Sequence, residues 1–366
     1  MKVLPAAIAT VVCLGLTMFG VVGPALADPA DESQDFPFPG ADTIALHDGS
    51  NGYVTYGASV HRAGRRIWVP YSISGSGSTI TTSPEIDGDA MSDGPGAWVD
   101  RDFNVWSPGA WYHVKDGVGR YYLVYTAKHR DRDQRCIGVA RSRNPTSGFI
   151  AEPAPIVCPD RDRWALDADI FDGPGGAVWM TWRDGQRAEG PESAISVMML
   201  GFNNDGTVDR ESTPVVIMRS DNLEWPRFRD GSGVVVIENP SVVYHNGSFY
   251  LFYSGNRWET NLYATGIAHC GARIDDGLCA PMPGPRRAWF SYAGPLESLP
   301  EDMRKYGLPG NKRGPGAMDV HRARGGQLWV TWNYLTGDTG DARKSRVGIL
   351  NVTGSGASAD FRVALQ

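Results

Sequence analysis

The chain has 366 residues, a formal charge of −6, 42% hydrophobic and 21% charged residues, and 12 tryptophans. No run of lysine and arginine offsets the acidic balance, so the basic stripe that nucleic-acid phosphates demand is missing. The length exceeds that of an average domain, yet all-β barrels and propellers run this long as single units, and length alone forces no split.

In chain order, residues 1–27 read as an export signal. Lys2 carries the only charge of the opening segment, an apolar stretch runs from about Val3 to Val22, and Ala25-Leu26-Ala27 is a small-x-small cleavage site. Gly15, Gly20, Gly23 and Pro24 break the apolar run, which favours a cleaved signal over a membrane anchor. Val12 before Cys13 does not suit a lipoprotein. Residues 28–366 are then expected to form one domain, secreted and monomeric.

Removing the signal leaves Cys136, Cys158, Cys270 and Cys279. An even number in an exported chain points to two disulfides. Of three possible pairings, Cys136–Cys158 and Cys270–Cys279 are favoured, because each closes a modest loop between neighbouring strands. Each bond would stabilise by about 2–4 kcal/mol. No Cys-x-x-Cys occurs and only His269 adjoins a cysteine, which argues against zinc.

Short β-branched and aromatic runs separated by Gly, Asp, Asn and Pro predict an all-β fold. One phrase returns five times, an apolar strand ending in Tyr or Trp: Tyr53–Tyr56, Tyr121–Tyr125, Val178–Trp182, Phe249–Tyr253 and Leu328–Trp332. The closing aromatics Tyr56, Tyr125, Trp182, Tyr253 and Trp332 are 69, 57, 71 and 79 residues apart, enough for a four-stranded blade each. A five-bladed β-propeller is the expected architecture, since a sandwich would not repeat one phrase five times.

A propeller gathers the starts of its innermost strands around one axis. Counting back from the closing aromatics, Asp42 precedes Tyr56 by 14 residues, Asp167 precedes Trp182 by 15 and Glu238 precedes Tyr253 by 15. The same count reaches Ala110 and Ala317 in blades two and five, so three blades are expected to bring carboxylates together. Single acids at strand starts commonly cap turns; three in one register suit glycoside cleavage, where one donates a proton and another activates water. A third carboxylate raises the acid's pKa by repulsion. Asp169 stands just outside the register, and Asp48, Asp172 and Glu224 are expected on turns or the surface.

At these residues the chain resembles glycoside hydrolase family 43, inverting arabinofuranosidases and xylosidases built on a five-bladed propeller. Ala41-Asp42-Thr43 resembles the first-blade Asp-Pro segment of the general base, with Thr43 in place of proline. Leu166-Asp167-Ala168-Asp169-Ile170-Phe171 resembles the segment whose aspartate tunes the acid, and Ile237-Glu238-Asn239-Pro240 that of the general acid. Trp106-Ser107-Pro108 resembles a Trp-Ala-Pro segment, which places Trp106 in the sugar pocket, and Cys136 is paired in similar sequences with a Val-Cys-Pro like Val157-Cys158-Pro159. The resemblance implies that Asp42 activates water, Asp167 keeps Glu238 protonated and Glu238 protonates the leaving oxygen. Arg313, before Gly314-Pro315-Gly316, is a candidate to bind a sugar hydroxyl.

Two departures stand out. Ala317 occupies the place where many members carry a histidine that holds a central calcium or water cluster, so no metal or other cofactor is expected; His321 is expected to pack within its strand. The stretch Phe36–Gly40 also offers an alignment that ends on Phe38 and leaves no base, although the register count favours Asp42. Terminal arabinofuranose or xylose is the expected glycone, with galactofuranose a third candidate, on a polysaccharide or oligosaccharide. The alternatives are a non-catalytic carbohydrate-binding propeller and a fructan- or sucrose-cleaving relative; for the latter the corresponding positions hold Leu166-Asp167-Ala168 and Glu238-Asn239 rather than Arg-Asp-Pro and Glu-Cys.

Overall fold

A computed structural model describes residues 35–160, 163–186, 193–228, 232–335 and 343–365. The export signal and Cys13 lie outside the described residues. The chain forms a five-bladed β-propeller, each blade an antiparallel sheet whose first strand is innermost. Blade one runs outward through Asp42–Ala45, Tyr53–Tyr56, Pro70–Ser74 and Gly88–Asp89. Blade two uses Trp106–Lys115, Val118–Lys128, Arg135–Ser142 and Ile150–Ala151, and blade five Arg313–Arg322, Leu328–Leu335, Arg343–Thr353 and Asp360–Leu365.

Blades three and four exceed the expected four strands. In blade three, the third strand Ser193–Phe202 pairs with both Val208–Arg210 and Val215–Arg219. In blade four, Ala264–Gly271 pairs with Ala280–Met282 and, through Thr265, with Ala288–Tyr292, to which Arg304–Leu308 adds in parallel.

The recurring phrase is the second strand of every blade, and all five closing aromatics are fully buried. A sheet buried on both faces can leave no polar side, which is why these strands read as nearly continuous apolar runs. The aromatics need room on the neighbouring strand. Tyr125 pairs with Gly138 and Tyr253 with Gly266, and a Cβ on either glycine would stand 2.4 and 2.3 Å from the tyrosine ring. Five apolar clusters fill the spaces between successive blades. Val54, Leu123 and Tyr125 belong to the one between blades one and two, and Phe252, Val330 and Trp332 to the one between blades four and five.

The circle closes between blades five and one without exchange of a strand. The segment before blade one lies in the seam: Phe36 N–H donates to Ser345 O at 2.9 Å, Ser345 Oγ donates to Phe38 O at 2.8 Å, and Asp35 accepts from Tyr334 OH and Arg346. Phe36 and Phe38 are wholly buried and pack with Tyr53, Trp329 and Val347 from both blades. Both disulfides are those favoured from the sequence, Cys136–Cys158 and Cys270–Cys279. They suit an oxidising compartment, and among the described residues no helix is long and apolar enough to cross a membrane.

Truncating Phe36→Ala removes a ring from the seam and is expected to cost about 3–5 kcal/mol. A urea titration followed by tryptophan fluorescence checks it, with a midpoint well below that of the native chain as the expected result.

Candidate active site

Each innermost strand begins with the same irregularity. In blades two to five its pairing with the second strand shifts between Trp106 and Gly109, Leu166 and Asp169, Glu238 and Ser241, and Gly316 and Asp319. Two residues therefore lie opposite each closing aromatic, a bulge that re-aims the side chains around it. The first of the two is left-handed in every case: Ser107, Asp167, Asn239 and Ala317, with φ of 39°, 56°, 47° and 46°. Blade one has Gly40 at 62°.

These five residues form one ring, and hydrogen bonds between blades fix their equivalence. The residue after one blade's closing aromatic holds the ring N–H of the next blade. Thr126 Oγ1 accepts from Asp167 N at 2.8 Å, Ser254 Oγ from Ala317 N at 2.7 Å, and Asn333 Oδ1 from Gly40 N at 3.2 Å. Two residues further along each strand lies a second ring of Asp42, Gly109, Asp169, Ser241 and Asp319. It has its own linkage: Ala110 N–H donates to Asp42, Val242 N–H to Asp169, and Val320 N–H to Ser241 Oγ at 3.0 Å.

The similar spacings of 14 and 15 residues counted in the sequence therefore do not mean equal position. In blade one Ala58 N–H bonds Pro39 O and Asp42 pairs with Tyr56, so the bulge lies opposite Gly57, one residue past the closing aromatic. Asp42 is the counterpart of Asp169 and Asp319, and the counterpart of Asp167 is Gly40. The structure brings Asp167 and Glu238 together and sends Asp42 to the inner ring.

The inner ring encloses a chamber of about 40 Å³. Asp42 donates a hydrogen bond to Asp319, which also accepts from Ser241 Oγ at 3.0 Å and bonds His321 Nδ1 at 3.0 Å. Burial, then the Asp319 charge, pushes Asp42 well above the usual carboxylate range; burial and Asp319 do the same to Asp169. Asp319 goes the other way. Against the cost of burial, hydrogen bonds from His321, Asp42 and Ser241 hold it below its ordinary value.

Outside the first ring opens a pocket of about 680 Å³, within the range of small-ligand sites. Asp167 and Glu238 line its floor, and Trp106, Trp164, Phe228 and Trp258 supply aromatic walls. Trp106 is 36% exposed, with the Arg135 guanidinium 3.2 Å from its ring centre. Glu238 Oε2 lies 3.3 Å from Arg183 Nη1, and Glu238 Oε1 accepts from Tyr263 OH at 2.9 Å. The Tyr263 hydroxyl in turn accepts from Asn239 Nδ2 at 2.9 Å. Burial first, then the Asp167 charge, raises Glu238 to about 7, while Arg183 and Tyr263 pull the other way. Asp167 accepts from Asn239 N–H at 3.2 Å, and burial raises it as well, against the opposing pull of Arg183.

The Glycosyl hydrolases family 43 profile matches residues 42–276, well over half of the chain. The chain belongs to glycosyl hydrolase family 43. Members of this family are glycoside hydrolases. A curated relative, alpha-L-arabinofuranosidase 43 of Humicola insolens, is 26% identical over 187 residues, which are 50% of this chain and 36% of that protein, so the match spans about a third of its length. Among solved structures, a thermostable family-43 glycoside hydrolase is 20% identical with a TM-score of 0.60, covering 89% of this chain and 92% of that one. The alpha-L-arabinofuranosidase from Lactobacillus brevis is 18% identical with a TM-score of 0.57, over 87% of this chain and 92% of that one. An endo-arabinase from Bacteroides thetaiotaomicron is 16% identical with a TM-score of 0.60, over 89% of this chain and 100% of that one. Likeness at these identities shows the shared propeller fold.

Within this family-43 pocket Trp106 stands on the wall, as the sequence implies. Arg313 does not line it: at the start of its strand it is buried and pairs with Leu335. Arg343 takes the place proposed for it, held by Trp258 O and Gly314 O and lying 4.6 Å over Tyr263. Sequence reasoning also missed Arg183 and Tyr263. Arg183 was open to it, since it comes directly after Trp182 at the position that Thr126, Ser254 and Asn333 hold in other blades; Tyr263 carries no comparable signal. Ala317 brings no donor to the first ring where many family members carry a histidine, while ligand atoms of Asp42, Asp319 and His321 lie within 4.8 Å of one another in the inner ring.

Asp42→Asn keeps a donor toward Asp319 and an acceptor for Ala110 N–H but cannot ionise. Because Asp42 is raised in the folded state, its contribution to stability is full below the unfolded value of about 4 and is lost as pH rises through the folded value. The variant is therefore expected to gain stability relative to the native chain between pH 4 and pH 8. Urea midpoints of both proteins at the two pH values check this.

Proposed function

We propose that the chain is an exported, exo-acting glycoside hydrolase that removes terminal arabinofuranose or xylose units, or galactofuranose, from a polysaccharide or oligosaccharide with inversion. The observation that carries this is Glu238, held near pH 7 on the floor of an aromatic-walled pocket by burial and the neighbouring Asp167. A glutamate so tuned is protonated at the pH where it must donate to a glycosidic oxygen. Asp167, fixed by Asn239 N–H and Thr126, keeps the proton on Glu238, and Tyr263 and Arg183 hold the carboxyl in place. Trp106 and Trp258 offer faces on which the C–H side of a sugar ring can lie.

The names of the relatives support the sugar class: the Humicola insolens protein is an arabinofuranosidase, and structural neighbours include arabinanases and a xylan β-1,4-xylosidase. The two disulfides and the opening apolar segment support export. A carbohydrate-binding propeller without turnover is the second reading, favoured by one observation, the glycine that blade one places in the ring where blade three has Asp167.

Nitrophenyl glycosides of the three sugars distinguish the readings. Hydrolysis is expected on at least one, with kcat/KM falling as pH rises through about 7, where Glu238 loses its proton. Glu238→Gln is expected to lower turnover by roughly 10²–10⁴ on substrates with poor leaving groups while sugar binding persists. Binding by the native chain with no hydrolysis of any of them would sink the enzyme reading.

A further inference from the structure

We infer that Arg135 is a positioning residue for the sugar: lodged behind the pocket wall, its guanidinium fixes the indole of Trp106 so that the opposite face is left to the substrate. The inference rests on the carbohydrate pocket of the reading above and names what holds its aromatic wall in place. A flat indole receives the C–H side of a sugar ring best when its angle is already set. A tryptophan free to turn loses rotamer freedom on binding, and that loss subtracts from what the contact supplies.

Arg135 opens the third strand of blade two and is only 7% exposed. Its guanidinium carbon stands 3.2 Å from the ring centre of Trp106 and 5.6 Å from that of Trp164. Both tryptophans line the large pocket and Arg135 does not, so the cation lies behind the wall that they form. A guanidinium this close covers one face of Trp106, and the 36% of that residue still exposed is its other face and its edges.

The stack explains a burial that hydrogen bonding leaves open. Arg135 Nη1 is buried without a hydrogen-bond partner, and an open donor on a buried charge is costly. Indole faces offset part of that cost, because a planar guanidinium lies flat on an aromatic ring where an ammonium does not. Burial pushes Arg135 down to about 10, with the Asp167 charge pulling the other way, so the side chain stays a cation at neutral pH.

Its position is built from both sides of a blade boundary. Trp106 opens the first strand of blade two, and Trp164 lies near the start of Arg163–Asp172, the first strand of blade three. Trp164 Nε1 donates to Asp133 O at 3.4 Å. Gln134 Nε2 donates to Pro159 O at 2.7 Å, and the Gln134 carbonyl accepts from His129 N–H at 2.9 Å. On the other side of Arg135, Cys136 is bonded to Cys158. Both chain neighbours of Arg135 are thus tied to the segment just before the Trp164 strand, which leaves the guanidinium one place between the two indoles.

The test uses the full chain, the nitrophenyl glycoside it cleaves and two variants. Arg135→Lys keeps a charge facing Asp167 without the planar stack, and Arg135→Met keeps the length alone. Each is expected to raise KM by roughly three- to thirtyfold, with kcat within a few-fold of native, the pattern of binding lost equally from ground and transition states. In a Trp106→Ala background neither substitution is expected to raise KM further, whereas a residue that only supports the fold would weaken both backgrounds alike. Should Arg135→Met fail to fold by circular dichroism, Arg135→Lys, which preserves the buried charge, carries the comparison. A KM close to native, or an equal rise with and without the Trp106 indole, overturns the inference and leaves the hydrolase reading standing. If the native chain cleaves none of the glycosides, the hydrolase reading falls, and the same cycle is run on dissociation constants for arabino- and xylo-oligosaccharides by calorimetry. There, constants unchanged by Arg135→Lys, or no binding by the native chain, overturn the inference too.

Discussion

The left-handed residue at the mouth of each innermost strand is the constraint that shapes both the core and the site. A non-glycine residue in that conformation costs on the order of 1 kcal/mol, and Ser107, Asp167, Asn239 and Ala317 all adopt it. The bulge is sustained because in blades two to five each shifted pair lies opposite an aromatic that the sheets bury completely, and because three of the five ring N–H groups are held by a side chain of the preceding blade. Blade packing is thus converted into chemistry. The ring residues turn toward the axis and the residue before each, Glu238 in blade four, is carried to the pocket floor.

The same bulge separates two electrostatic regimes a few residues apart. Inside the ring, Asp319 is bonded by Asp42, Ser241 Oγ and His321 Nδ1, and Ser241 also bonds Asp169. Such groups are costly to bury unless bonded, and the bonds to Asp319 hold it below its ordinary value. Outside it, Asp167 and Glu238 are left with fewer partners than their charge demands, and Arg183 neutralises only part of it. The inner set serves closure of the circle, joining blade five to blade one; in the outer set burial and the Asp167 charge disfavour a second charge and keep the proton on Glu238.

The fold was legible because it is written five times. Tyr56, Tyr125, Trp182, Tyr253 and Trp332 mark the second strands, and the structure puts all five in the core. The pairing of the cysteines was legible too, since short loops between adjacent strands leave few other partners. Position along the axis was not. Counting residues back from an aromatic measures chain length, and the hairpin loops between first and second strands differ from blade to blade, so Asp42 and Asp167 stand at nearly the same count but at different levels. Inter-blade hydrogen bonds such as that of Asn333 to Gly40 decide the level, and they join residues almost three hundred positions apart.

Residues that act from loops were harder still. Arg183 could have been found by aligning the residue directly after each closing aromatic, because Thr126, Ser254 and Asn333 all turn toward the next blade from that place. Tyr263 obeys no repeat, since the turn after the second strand is where the blades are free to differ once the strands have fixed the scaffold. A propeller of this kind keeps its closure in the strand starts and can renew its chemistry in the turns. The glycine at position 40 fits that division: with Asn333 meeting its N–H and no side chain to place, blade one adds shape to the ring and no charge.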